Sequence, residues 1–132
     1  MTAKLKDSVS NLARAHSSLR EALAVMPRTA VIRSAIIKNF EFNYELAWKS
    51  LKRYLEYQGI QTTTPRQVIA EAYRMGVITS DAVWLAMIQD RNLSVHTYDE
   101  NLSKEMVQRI EENYTPIFDN LVQYLASELI KI

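Results

Sequence analysis

Along the first two dozen residues apolar side chains fall at alternating steps of four and three: Leu5, Val9, Leu12, then Leu19 and Leu23, with His16 holding the place between. That spacing lays a narrow seam along one side of a helix, the side that packs on a partner. A lone histidine in such a seam is read as a partly buried residue with a satisfied ring nitrogen. Pro27 breaks the pattern, and Thr29 is placed to cap a second helix running to about Gly59, roughly 45 Å long at helical rise. Its apolar residues include Ile32, Ile36, Phe40, Ala47, Leu51, Tyr54 and Leu55, widened by Ile37, Tyr44 and Trp48. A stripe this broad belongs to the central helix of a bundle.

Thr64-Pro65 supplies a cap followed by proline at the first helical position, and Val68, Ala72 and Met75 lead to Gly76 as a stop, which predicts a short third helix. Ser80 is expected to cap a fourth, in which Trp84, Met87, Ile88 and Arg91 share a face, so a cation extends an inward stripe. Leu102, Met106, Ile110 and Tyr114 predict a fifth helix. Thr115-Pro116 then either starts a last one, through Phe118, Leu121, Val122, Leu125 and Leu129, or kinks one continuous helix. The two glycines and three prolines all fall where a helical pattern breaks, and no strand pattern, repeat or linker is visible. The chain is predicted to be all-α, an up-and-down bundle of about five helices forming one domain over residues 1–132.

Composition narrows the function more by exclusion than by direction. A net charge of +1 gives no overall pull toward nucleic acid, so an RNA partner needs a local basic patch. The absence of cysteine excludes disulfides and thiolate metal sites and fits a reducing interior. Neither a signal-peptide core nor a membrane-length apolar run is present, so a cytoplasmic location is expected. No glycine-rich phosphate loop, paired-histidine zinc helix or magnesium-spaced carboxylate cluster occurs, and neither a metal nor a cofactor is expected.

The second of the two histidines stands in "DRNLSVHTYDE", residues 90–100, with Arg91, Asn92 and Tyr98 close by. Cleaving RNA without a metal needs a base for the 2′-hydroxyl proton, an acid for the departing 5′-oxygen and a cation for the phosphate. Histidine's ordinary pKa, about 6.5, suits either proton role, and arginine's fork suits phosphate oxygens. On an unbroken helix Asn92 and His96 share a face while Arg91 points about 100° away. Convergence then requires the helix to end between residues 91 and 96, or a second copy of the chain across a two-fold axis. The structural rival has His96 capping a helix end and Arg91 pairing with Asp90, Asp99 or Glu100.

Other positions are read more plainly. Glu41 and Glu45 lie four apart on the long helix; a carboxylate there could orient Arg91 or His96, although Glu45 and Lys49 also have the spacing of a surface pair. Trp48 and Trp84 fall on apolar stripes and are read as core or interface rather than base-stacking platforms. Lys49, Lys52 and Arg53 form the densest basic cluster, which reads first as a solvated helix face.

Three ordered segments, "NFEFNYELAWKSLKRYLEYQG" (39–59), "TPRQVIAEAYRMGVI" (64–78) and "RNLSVHTYDE" (91–100), closely resemble the nucleotidyltransferase substrate-binding protein family of the HEPN superfamily. The resemblance spans about residues 30–130. It implies a helical bundle that dimerises so that two motifs line one cleft, with many members of the superfamily acting as metal-independent ribonucleases. The superfamily motif, an arginine, four to six residues and a histidine, is matched by Arg91, Asn92 and His96. In the branch paired with minimal nucleotidyltransferases a tyrosine follows two residues after the histidine, matched by Tyr98, and in some such toxin–antitoxin pairs the partner attaches AMP to it and silences the toxin. The resemblance therefore implies a homodimer, a cognate minimal nucleotidyltransferase and possible contact with RNA. Its older name implies instead a non-catalytic subunit that presents a substrate to that partner.

Overall fold

The structure is a computed structural model that describes residues 2–132. Helices α1 (Thr2–Ala24), α2 (Ala30–Tyr57), α3 (Pro65–Arg74) and α4 (Asp81–Leu93) are followed by a single 3-10 turn over Ser94–His96. Then come α5 (Glu100–Arg109), a π-helical turn over Ile110–Tyr114, and α6 (Thr115–Ile130).

Side-chain pairs fix the directions of the helices. Phe40 stacks on Tyr114, ring centroids 5.3 Å apart, and the Tyr54 hydroxyl donates to Glu128 at 2.6 Å, so α2 runs parallel to the α5–α6 rod. Trp84 meets Phe118 edge-on and Asp90 meets Arg109, so α4 runs against that rod. α1 also runs against it, with His16 on Asp119 and the following Arg28 on Glu111. The result is an up-down-up-down bundle with α3 as a short extra helix between α2 and α4. Its core is one contiguous cluster in which the predicted stripe residues Leu12, Phe40, Leu51, Met87, Ile110 and Phe118 are wholly buried.

Caps and stops explain most boundaries. Thr29 accepts from the Ile32 N–H at 3.3 Å and Thr64 from Gln67 at 3.2 Å, each satisfying a donor that the first turn leaves free. Gly59 and Gly76 end α2 and α3 with φ of 86° and 76°, a left-handed conformation that costs glycine little. Ser80 departs from expectation. It stands at the cap position of α4 with extended backbone but its hydroxyl makes no cap hydrogen bond.

Thr115-Pro116 does not start a separate helix. Proline lacks an N–H and its ring crowds the carbonyl four residues back, here that of Glu112. A turn of wider gauge absorbs the mismatch: the Thr115 N–H reaches back five residues to the Ile110 carbonyl, and the Thr115 hydroxyl donates to the same oxygen at 2.7 Å. α5 and α6 thus form one rod, which makes five helical rods among the described residues.

The seam histidine is half of what the sequence predicts. His16 is buried with Nε2 3.2 Å from Asp119 Oδ1, but its buried Nδ1 has no partner among the described residues. Burial pushes the imidazole pKa below its ordinary value, against the opposing pull of Asp119. Among the described residues no helix is long and apolar enough to cross a membrane.

Candidate functional site

The candidate residues gather where α4 ends, and the end is held by a side chain that faces away from them. On α4 the steps Trp84, Met87, Asp90 run three apart down the buried face, so a carboxylate is carried into the core. Asp90, 4% exposed, receives Arg109 Nε and Nη2 at 2.8 and 2.7 Å and the Tyr114 hydroxyl at 2.5 Å. Two parallel N–H bonds and a third donor leave the buried anion well compensated. The same contacts hold the Arg109 guanidinium above its ordinary pKa, chiefly through the hydrogen bond to Asp90. The Tyr114 hydroxyl is raised first by burial and then by Asp90.

Arg91, one residue on, projects about a quarter-turn round the helix. Its Nη1 lies 3.4 Å from Glu41 Oε2 and 3.4 Å from Ser94 Oγ, and its Nε lies 3.6 Å from Glu45 Oε1. These separations exceed the roughly 2.7–2.9 Å of a strong charge-assisted hydrogen bond, and Nε is buried without a hydrogen-bond partner. The rival pairing is therefore corrected: Arg91 faces two carboxylates of α2. Asp90 belongs to Arg109, Asp99 caps α5 through the Leu102 N–H at 3.1 Å, and Glu100 pairs with Lys104 and, more distantly, Arg33. Glu45 also accepts the Trp48 indole N–H at 3.2 Å, closer than its 3.9 Å approach to Lys49.

Arg91 and Asn92 line a cleft of about 500 Å³ between α2, the start of α3 and the end of α4, together with Tyr44, Glu45, Trp48 and Arg66. Tyr44 is pushed up to about 12, mainly by burial and next by the Glu45 charge, so its hydroxyl keeps its proton at neutral pH. Trp84 is core, as expected. Trp48 is half-buried against the core and also presents to this cleft. The basic cluster of α2 is partly spent on its own helix, with Lys52 on Glu56 at 2.6 Å.

The chain leaves the helix at Leu93. The Ser94 hydroxyl donates to the Arg91 carbonyl at 2.7 Å, and the Ser94 N–H turns to the same oxygen, which tightens the helix into the 3-10 turn. Asn92 and His96 thus share no continuous helix face. His96 is exposed on that turn with Nδ1 3.2 Å from Tyr98 Oη, the two rings edge to face at 5.8 Å, and Tyr98 is 84% exposed. The structure therefore brings Arg91 to Asn92 and His96 to Tyr98. No hydrogen bond or ion pair links Arg91 to His96 among the described residues. No three His, Cys, Asp or Glu side chains among these residues are placed to share a metal ion.

The sequence reading names Asp90 only as a possible partner of Arg91, not as the buried anchor of α4, and does not single out Arg66. Asp90 carries a signal in its three-residue spacing from Trp84 and Met87. Arg66 carries none, because its place in the cleft depends on how α3 crosses α2.

Comparison with known proteins places these features in a context. Residues 7–127 match the family described as nucleotidyltransferase substrate binding protein like. A Haemophilus influenzae protein named probable ribonuclease HepT is 33% identical over 81 residues, 58% of this chain and 56% of that protein, so the match spans little more than half of this curated relative. A Thermus thermophilus protein of known crystal structure aligns over 89% of this chain and 98% of its own, with 30% identity and a TM-score of 0.74. The Haemophilus influenzae protein HI0074, whose structure is described as the fold of a substrate binding domain of a nucleotidyltransferase, aligns over 96% and 99% with a TM-score of 0.69; at 24% identity it speaks to the fold alone.

Proposed function

Because the chain belongs to the nucleotidyltransferase substrate binding protein like family, we propose that it acts beside a minimal nucleotidyltransferase as the toxin of a toxin–antitoxin pair, a homodimeric, metal-independent endoribonuclease silenced at Tyr98. The observation that carries this reading is the 3.2 Å contact between His96 Nδ1 and Tyr98 Oη on an exposed turn. The name of the Haemophilus influenzae relative, probable ribonuclease, supports it.

In cleavage, the 2′-oxygen of RNA attacks the adjacent phosphorus and the bond to the 5′-oxygen breaks, leaving a 2′,3′-cyclic phosphate. His96 takes the 2′-hydroxyl proton or gives one to the departing oxygen. Arg91 neutralises the phosphate and Asn92 positions it, while Glu45 and Glu41 keep the guanidinium aimed without closing their ion pairs around it. Arg91 and His96 share no hydrogen bond or ion pair within one chain among the described residues, and in this reading a partner copy completes the site and supplies a second histidine.

Silencing follows from adjacency. The Tyr98 oxygen attacks the α-phosphorus of ATP, its bond to the β-phosphate oxygen breaks, pyrophosphate leaves and the phenolic proton is lost to a base. The attached anion displaces the His96 hydrogen bond and occupies the space an RNA phosphate needs.

Incubation of the purified protein with single-stranded RNA and chelator is expected to give cyclic-phosphate ends, lost in His96→Ala and in Arg91→Ala while sedimentation and circular dichroism stay unchanged. Equal cleavage by wild type and His96→Ala defeats the assignment. Activity per chain should fall on dilution through dimer dissociation; undiminished activity of a monomer removes the shared site. With ATP and the nucleotidyltransferase, mass spectrometry should find AMP on Tyr98, and labelling that persists in Tyr98→Phe rules it out as the sole acceptor. A second reading, a non-catalytic subunit offering a substrate to the nucleotidyltransferase, is favoured by the family's description and gains if RNA stays intact while the partner binds.

A further inference from the structure

The cleft beside Arg91 holds more than a single phosphate requires. Arg66 projects into it from the first turn of α3, exposed and without an ion pair or hydrogen bond among the described residues. That turn contains no acidic residue, so the cation stands at the positive end of its helix with nothing to offset it. Arg91 reaches the same opening with its Nη1 held only at 3.4 Å from its acceptors, while its Nε is buried. Of the charged lining residues two are guanidiniums and one, Glu45, is a carboxylate; Glu41 and Glu45 both face Arg91, so Arg66 is the lining cation without a carboxylate partner among the described residues.

The apolar side is equally specific. Trp48 is half-buried, its ring tied through the indole N–H to Glu45, and it presents a fixed aromatic surface between the two arginines' helices. A volume of about 500 Å³ suits a bound small molecule rather than a lone ion. A fixed aromatic with flanking cations is the combination that receives a base and its phosphate without reading sequence.

We propose that this cleft is a nucleotide subsite, seating one nucleotide of a single-stranded RNA beside the scissile linkage with its phosphate between Arg66 and Arg91 and its base against Trp48. The RNA source rests on the nuclease reading; the nucleoside-phosphate chemistry does not, since a free mononucleotide presents the same groups.

Tryptophan fluorescence of the full chain carrying His96→Ala, which binds without cutting, separates these cases. Trp84 is buried at 1% exposure, so quenching reports Trp48. Tetra-adenylate should quench it saturably, and Trp48→Phe, which keeps Trp84, should abolish the change. Arg66→Ala should raise the half-saturating concentration about tenfold and lower the slope of log affinity against log salt by about 0.7, one phosphate contact on a single strand, with partial recovery in Arg66→Lys. Anisotropy of fluorescein-labelled tetra-adenylate gives the same comparison where emission is ambiguous. If wild type cleaves RNA but quenching is absent and Arg66→Ala binds like its parent, the subsite is overturned and the nuclease reading stands. If RNA is never cut yet tetra-adenylate quenches with these dependences, the subsite stands and the nuclease reading falls. AMP quenching at the same concentration as tetra-adenylate overturns the RNA assignment in favour of a free nucleotide.

Discussion

Asp90 and Arg91 are neighbours in sequence and opposites in circumstance. Asp90 points into the bundle and has three donors at 2.5 to 2.8 Å, all from the far rod. Arg91 points to a cleft and has only acceptors at 3.4 to 3.6 Å, with one nitrogen unbonded. The first arrangement holds the end of α4 in place; the second leaves a positioned cation that its own protein grips only through long contacts. A site that must grip an anion needs both, because a guanidinium fully satisfied by its own protein has little left for a ligand, and one on a loose helix end has no fixed direction.

The contrast is breakable in order of expected size. Asp90→Ala should be the most damaging change, about 3 kcal/mol in urea unfolding, since it strands Arg109 and removes the acceptor of Tyr114. A loss below about 1 kcal/mol would mean that the clamp is ornamental. Tyr114→Phe removes one donor and leaves the Arg109 fork, so about 1.5 kcal/mol is expected by the same measurement. Arg91→Ala should cost less than about 1 kcal/mol while abolishing RNA cleavage; destabilisation comparable to Asp90→Ala would erase the distinction between the two residues.

The smallest effect concerns His16. Its folded pKa lies below the ordinary value because burial disfavours the charged ring. The unfolded chain therefore binds the extra proton first, so the contribution of His16 to stability is present above about pH 6.5 and is lost as pH falls through the folded value. Melting temperature should decline between pH 7 and 5, and His16→Gln should flatten that decline. A steeper decline in the variant would reverse the sign.

Most of the fold is legible in the sequence because apolar periodicity and cap residues are local. The stripes on α1 and α2, the threonine caps and the glycine stops are all where spacing puts them. Ser80 shows the limit: its residue type suits a cap, but whether its hydroxyl reaches the helix is a matter of rotamer and neighbours. The site is legible only in part for the same reason. Arg91, Asn92, His96 and Tyr98 stand out as residue types in a short stretch. His96 and Tyr98 meet locally, but the acceptor that faces Arg91 comes from α2, with Glu41 50 residues away, and the donor that holds Asp90 beside it comes from the far rod, with Arg109 19 residues away. Whether Arg91 belonged to Asp90 or to Glu41 is invisible until those helices are docked.

The five-residue turn between α5 and α6 carries a further implication. It works as a phase shifter: upstream of it the rod offers Arg109 to the Asp90 side, and downstream it offers Phe118 to Trp84. Losing one residue between positions 110 and 114 would leave the two halves facing as they do, since the wider turn holds one extra residue, whereas a regular α-helix at unchanged length would swing one half by about 100° relative to the other. Such a regular helix would keep only one of its two appointments with α4, so the gauge of the turn at this point is dictated by geometry two helices away.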